Sequence, residues 1–592
     1  MSGPVPAELV GAWLERFGAA VAAADADGAA ALFLEDGWWR DNLALTWDIR
    51  TMRGRAEIAT LAGRHLAGSG LAIAGLAEGF EPRLVESGRR RWVEALFDLA
   101  TREARGRGVV RLAPDDAGEW RAWTVLTAVD ELVGLEERTT GWDVFETTEY
   151  TEPVPGRARW FEQRQAAVEL REEEPTVLVV GAGHSGLGLA ARLERLGIRT
   201  LVIDRFAQLG DNWRKRYANL QLHEPFFVDH FPYLRFPTSS AWPLMMPKDK
   251  LADWLTAYAT LMDLRVWTGT EVLDGSYDEG AGEWTVRLRR GDRELTVHPH
   301  QVVMATGIAT RPRMPEIPGM EDFAGEIVHS AAFADGRRYA DRDVVVVGAG
   351  SSGHDIVQDL FEQGARPTMI QRSSTYVMST EHGARLLNAP FAPGGEDPIE
   401  VLDLLIAAFP FPLNIELGRE AAEDLAELDR ELLDGLAAAG FALDPNGIAA
   451  NSLVSGGGYY IDQGCSRLII DGDVPVVNGS VEGFTRTHAV LADGRTIKAD
   501  AVVLATGFEN MREDARDLFG DEVADRCDPV WGIDAERNEL GCVWRPAGQP
   551  GLWFHTGALQ MGRYYSTLVA LQIKALEAGV ARRPLARSLE AS

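Results

Sequence analysis

Cysteine is scarce: the chain of 592 residues has three, Cys465, Cys527 and Cys542, and no CxxC pair. That spacing excludes a zinc ribbon and a redox-active CxxC, and it fits a reducing cytosol in which thiols stay free. All three are read as structural, and no metal site is expected. Long apolar runs are also missing. Nowhere do about 18 apolar residues follow one another, so no membrane span is expected. The nearest stretch, LDLLIAAFPFPLNIEL, is broken by Asp, Glu and proline. The first residues, MSGPVPAELVGAW, lack a basic segment followed by an apolar run, so no signal peptide is read and a cytoplasmic setting is expected. Basic charge is in deficit, with 59 Lys and Arg against 89 Asp and Glu and a net charge of −30. Nucleic acid and anionic lipid need clustered cations, so neither is expected as a partner. The acidic surface is read as serving solubility.

What is present is an ordinary globular composition, 46% hydrophobic and 25% charged, in a chain too long for one core. Two glycine-rich turns organise it. In EEEPTVLVVGAGHSGLGLAARLERLGIRTLVIDR an apolar strand runs into Gly181, Gly183, Ser185 and Gly186, and a helical pattern follows. The first glycine permits the turn, the second lets a pyrophosphate approach, and the third lets the helix pack on the strand. The helix N-terminus then offers N–H groups and a positive dipole end to phosphates. Asp204 closes the next strand, where a carboxylate accepts from a ribose 2′-OH. The second unit, DRDVVVVGAGSSGHDIVQDLFEQGARPTMIQRSS, repeats the pattern with Gly348, Gly350, Ser351, Ser352 and Gly353. It ends in Arg372, Ser373 and Ser374 instead of an acid, and a guanidinium beside hydroxyls suits a 2′-phosphate. The first turn is therefore assigned to FAD and the second to NADPH, with electrons passing from one to the other.

Two further turns, Thr306-Gly307 in VVMATGIATRPRMPEIPG and Thr506-Gly507 in AVVLATGFEN, end apolar strands where two-dinucleotide flavoproteins cross between domains. Between the glycine turns lies FAGEIVHSAAF, in which Phe323, Gly325, His329 and Phe333 match FxGxxxHxxx(Y/F). This resembles the signature of class B flavoprotein monooxygenases, and Phe333, where Baeyer–Villiger members carry Trp, favours the flavin-containing branch. GDNWRKRYANLQLHEPFF resembles the segment that covers the flavin, with Trp213 as its tryptophan, and GLWFHTGALQMGRYYSTLVALQIKA resembles the closing segment. The animal-type Thr-Asn pair is replaced by Leu222-His223, as in plant auxin-forming members and in bacterial type II members, which also carry an N-terminal extension and oxidise ketones. The resemblance implies that His223 lies at the flavin edge as a neutral imidazole exchanging protons, and that His329 couples the two nucleotide domains.

Residues 1–150 contain no nucleotide turn. Two amphipathic helices over about 7–34 precede Trp38, Trp39, Arg40, Asp41 and Trp47 and then strand-like runs, which resembles a SnoaL-like, nuclear transport factor 2-like α+β cone. Its aromatics are read as the core of a scaffold covering the flavin part or forming a homodimer, ahead of the alternative that Trp38, Arg40, Asp41 and Trp47 line a ligand pocket within the cone. An extended linker and a surface helix fill 151–173. The fold class is α/β, with a split FAD domain at 174–312 and 500–592 and an inserted Rossmann-type NADPH domain at 313–499. A helical insertion over about 381–460 is in position to roof a substrate pocket, and LGREAAEDLAELDRELLDGLAAAG reads as one helix.

The resemblance implies an NADPH- and O2-dependent monooxygenase acting on a small ketone, amine or sulfide through a flavin C4a-peroxide, with Baeyer–Villiger oxidation ranked above N- or S-oxygenation. Two other classes compete. A disulfide reductase shares the two-turn layout but needs a cysteine pair, and a flavin-binding sensor would use residues 1–150 as its output module.

Overall fold

The computed structural model describes residues 5–138, 155–170, 173–237 and 242–581. The extended linker expected before the surface helix falls largely outside them. That helix, Trp160–Val168, buries none of its side chains.

The N-terminal part is α+β. Helices Pro6–Ala22, Ala26–Ala31 and Gly54–Ser69 accompany one seven-stranded sheet that includes Phe33–Asn42, Arg90–Ala100, Ala104–Pro114 and Trp120–Leu132. Alternation along Phe33–Asn42 decides which face each residue serves. Trp39 points to the helices, 5.4 Å from Phe17 and 5.9 Å from Phe33 between ring centroids. Trp38 points the other way, and with Trp92 and Trp123 it packs on Leu413 and Phe409 of the helical insertion.

Two parallel five-stranded sheets follow. In the first, Val266–Trp267, Thr200–Ile203, Val177–Val180, Gln301–Met304 and Leu552–Phe554 lie side by side in that order. In the second the order is Glu326–His329, Ala501–Leu504, Asp343–Val347, Arg366–Gln371 and Val476–Asn478. Runs such as LVV and VVVV are apolar on both faces because helices cover both sides of a parallel sheet. Residues 501–504 were expected to begin the returning FAD segment. They pair within the second sheet instead, so the crossing back comes after Leu504.

The insertion forms the expected wall, but not with the expected single helix. Helix Phe411–Leu428 ends at Asp429, and Arg430–Ala438 starts a new one. Asp429 is buried, and its carboxylate accepts from Ser379 N (2.8 Å) and Ser379 Oγ (2.6 Å) and contacts His382 Nδ1 (2.7 Å). Those contacts fix the break. Among the described residues no single helix is long and apolar enough to cross a membrane; one bent pair, Ile399–Ala407 with Phe411–Leu428 at 96°, passes on length and composition. Its apolar residues Leu402, Leu404 and Leu405 pack with Leu96 and Leu126 of the N-terminal sheet.

Candidate active site

A cavity of about 1340 Å³ opens between the two nucleotide turns and the helical insertion. At the first turn, Gly181 has φ +113° and Gly348 at the second has φ +121°, so both strands leave by the same left-handed conformation that favours glycine. A methyl group on Gly186 would sit 2.0 Å from the Gly181 carbonyl oxygen, which is the close strand–helix approach. On Gly183 it would meet only Asn212 Nδ2, at 3.4 Å, with the cavity beyond. Helices His184–Arg195 and Ser351–Glu362 both start at a glycine without a side-chain cap, which leaves N–H groups free for phosphates. Asp204 lines the cavity with its carboxylate oriented by Ala182 N and Phe206 N, both at 2.9 Å. Burial raises its pKa, while those two backbone bonds lower it. Asn212 Oδ1 is buried there without a partner. An open cradle, an uncapped helix, an oriented carboxylate and an orphaned amide oxygen fit FAD.

Ser185, Trp213, Leu222, His223, Thr306 and Gly307 share this cavity, and Thr306 Oγ1 donates to Asp514 Oδ2 at 2.8 Å. From the second turn only Ser351 and Ser352 reach it; Gly348, Gly350, Gly353, Arg372 and Ser373 lie beyond its lining. Nothing stands within 4 Å of a methyl group on Gly350, and Arg372 and Ser373 are exposed at the end of their strand. That open, cationic end fits a 2′-phosphorylated nucleotide. Helix Phe411–Leu428 supplies Phe411, Asn414, Leu417 and Leu425 to the opposite wall, as expected of a roof.

The two histidines part company. His329 does not line the cavity. Its Nδ1 accepts from Ala331 N (3.1 Å), which leaves the proton on Nε2 to donate to the Gly507 carbonyl (3.0 Å). The same carbonyl accepts from Arg313 N at 3.0 Å, while Thr506 Oγ1 donates to the Arg313 carbonyl at 2.6 Å. His329 therefore locks the crossing between domains. Burial lowers its pKa, and both ring nitrogens are engaged by backbone groups away from the cavity, so its contacts fit the coupling of domains that the resemblance implies and not a catalytic part. His223 sits in the cavity, with Nε2 3.3 Å from Asp355 Oδ1. Burial pulls its pKa down, but the hydrogen bond and charge of Asp355 outweigh it, and the net shift is upward. The neutral imidazole expected from the sequence is thus biased toward the charged form.

Asp355 was missed. It opens the second turn of helix Ser351–Glu362, accepts from Tyr217 OH through Oδ2 at 2.8 Å and faces His223 through Oδ1, so it ties that helix to the strand that carries His223. An acid two residues past the last glycine of the turn was the available signal. Arg40 was expected in a scaffold, and it reaches the cavity while making a bidentate pair with Glu539 (2.8 and 2.6 Å). It also donates to the Ala407 carbonyl (2.7 Å) and Tyr565 OH (3.0 Å). Trp38, Asp41 and Trp47 do not line the cavity.

Residues 178–387 match the family model described as pyridine nucleotide-disulphide oxidoreductase. Cys465, Cys527 and Cys542 all lie outside that match and outside the cavity lining, and all three are buried and free. The chain is 31% identical over 353 residues to indole-3-pyruvate monooxygenase YUCCA1 of Oryza sativa subsp. japonica, covering 58% of this chain and 80% of that protein. It is also 31% identical over 339 residues to probable indole-3-pyruvate monooxygenase YUCCA7 of Arabidopsis thaliana, covering 56% and 74%. Among solved structures, cyclohexanone monooxygenase bound to epsilon-caprolactone matches with a TM-score of 0.51 at 19% identity, over 69% of this chain and 88% of that one. The OTEMO complex with FAD and NADP matches with a TM-score of 0.50 at 17% identity, over 69% and 87%. At such identities the structures attest the fold alone.

Proposed function

Because the chain belongs to the flavin-dependent monooxygenase family, and is therefore an enzyme that uses FAD, NADPH and O2, we propose that it carries out Baeyer–Villiger oxidation of a ketone to an ester or lactone. The observation that carries this reading is the pairing of His223 with Asp355 in the cavity between the two nucleotide turns. Gly183, Asp204 and the N-terminus of helix His184–Arg195 hold FAD, and Gly350, Ser351, Ser352, Arg372 and Ser373 hold NADPH. Bound there, FAD would supply a hydride acceptor for NADPH and the means of passing one atom of O2 to the substrate. The overall change is ketone, O2, NADPH and a proton to ester, NADP+ and water; a carbon–carbon bond beside the carbonyl breaks and two bonds to the inserted oxygen form.

His223 supplies charge and a proton at the place where oxygen is handled. Held by Asp355, its imidazolium stabilises negative charge on oxygen and so favours a nucleophilic oxidant, which attack on a ketone requires. The apolar wall from helix Phe411–Leu428 excludes water. The same raised pKa supports a second reading, because an imidazolium also donates a proton, and that serves oxygenation of an amine nitrogen or a sulfide sulfur. This account also reads the N-terminal α+β part as a SnoaL-like scaffold, on the strength of helices accompanying one seven-stranded sheet, and allows a cytoplasmic homodimer.

The test is His223→Asn, assayed with NADPH over a panel of ketones, amines and sulfides with product analysis. FAD content and reduction by NADPH should persist while ester formation falls at least tenfold relative to sulfoxide or N-oxide. Wild-type ester formation by the variant would remove the basis for ranking ketones first. NADPH oxidation that no compound stimulates would count against ketones, amines and sulfides alike as substrates.

A further inference from the structure

The cavity wall beyond His223 carries acid that oxygen chemistry does not use. Glu224 follows His223 on strand Gln221–Pro225, and both Glu224 and Asp229 line the cavity. Asp229 is 1% exposed, and neither of its carboxylate oxygens accepts from a backbone N–H, a hydroxyl or a cationic side chain. The side chain it faces is the Glu224 carboxyl. A neighbouring cation exists but is spent. Arg563 gives Nε and Nη2 to Asp403, both at 2.7 Å, and Nη1 to the carbonyls of Val228 and His230, also at 2.7 Å. Arg563 therefore pins the backbone on either side of Asp229 and leaves its carboxylate bare. The other charges nearby are paired as well, His223 with Asp355 and Arg40 with Glu539.

Two carboxyls held side by side, one buried and the other half-buried in the cavity wall, do not readily both ionise unless something positive lies between them. With nothing bound, a shared proton serves, and burial accordingly raises the pKa of both groups. A rigid acidic pair that opens into a substrate cavity is equally suited to exchange that proton for a cationic nitrogen. We propose that Glu224 and Asp229 form a subsite for an ammonium or guanidinium group, so that the substrate carries a positive charge apart from the atom that is oxygenated. The inference rests on the monooxygenase reading of the same cavity and adds the substrate class.

The probes are isosteric pairs that differ only in that charge: 4-(aminomethyl)acetophenone against 4-ethylacetophenone, and 4-(methylthio)benzylamine against 4-ethylthioanisole. Wild-type holoenzyme should favour the charged member of at least one pair tenfold or more in kcat/KM, and equilibrium dialysis should show the same preference without turnover. Glu224→Gln and Asp229→Asn should each bring the ratio to within about threefold of unity. If Asp229→Asn does not fold, Glu224→Gln and the wild-type ratio decide alone. Equal binding of both members, or a ratio that survives in both variants, overturns the subsite. Preferential binding of the amines without any oxygenated product would keep the subsite and sink the oxygenase reading.

Discussion

Gly183 and Gly186 belong to one turn, yet a side chain at each meets a different obstacle. At Gly186 the obstacle is the chain itself, the Gly181 carbonyl at 2.0 Å, so Gly186→Ala should cost about 1–3 kcal/mol of stability in urea denaturation. At Gly183 the space belongs to the cavity. Gly183→Val should fold, as circular dichroism would report, but purify colourless; full FAD occupancy would remove the assignment of the first turn. On the proposed reading Arg372 discriminates between coenzymes. A charge-assisted bond to a phosphate contributes about 1.5–3 kcal/mol, so Arg372→Ala should raise KM for NADPH tenfold or more and leave NADH nearly unchanged. Equal losses for both would place Arg372 outside the site. The His223–Asp355 pair has a pH signature. Asp355 holds the folded-state pKa of His223 above its ordinary 6.5, so the pair's stabilisation is complete below that value and is lost as pH rises through the folded one. Asp355→Asn should therefore lower Tm more at pH 6 than at pH 9; an equal loss at both would mean His223 is uncharged.

At the scale of elements, what could be read from the sequence was local. Each nucleotide unit is a strand, a turn and a helix within one short stretch, and the acid in one against the arginine in the other assigns their nucleotides from residues a few positions away. Strand Ala501–Leu504 defeated that reading because its partners, Glu326–His329 and Asp343–Val347, lie far off in the chain, and apolar periodicity does not say which sheet a strand joins. Glu224, Asp229 and Asp355 escaped for the same reason. Their importance lies in what faces them, and Arg563 becomes informative only once the fold turns it toward Asp403. The break at Asp429 is similar: the sequence around it is good helix throughout, and tertiary acceptor contacts end it. Asp429→Ala should leave Ser379 N and His382 without their acceptor and cost about 1–3 kcal/mol in chemical denaturation, with Arg430–Ala438 the first segment to exchange its amide hydrogens.

For the whole molecule, three parts of the chain contribute to one cavity. The first parallel sheet and its turn bring Gly183 and Asp204, the short strand Gln221–Pro225 brings His223, helix Ser351–Glu362 after the second turn brings Ser351, Ser352 and Asp355, and the N-terminal sheet brings Arg40. The docking that carries Arg40 inward is polar as well as apolar. Arg111 donates to the Leu405 carbonyl at 2.6 Å and stands 3.7 Å over the Phe409 ring, and Asn42 donates to Tyr564 OH at 3.0 Å. Such an arrangement makes the N-terminal part a wall of the reaction chamber, and it concentrates the account on one claim, that this chamber transfers oxygen from O2 to an organic substrate at the expense of NADPH. The direct measurement is turnover of the full-length holoenzyme under isotopically heavy O2, with 4-(aminomethyl)acetophenone and 4-(methylthio)benzylamine as substrates and the product read by mass spectrometry. The account predicts one heavy oxygen atom per product molecule and one NADPH consumed for each. Product lacking the label, or NADPH consumption that yields only hydrogen peroxide with every substrate offered, would contradict it.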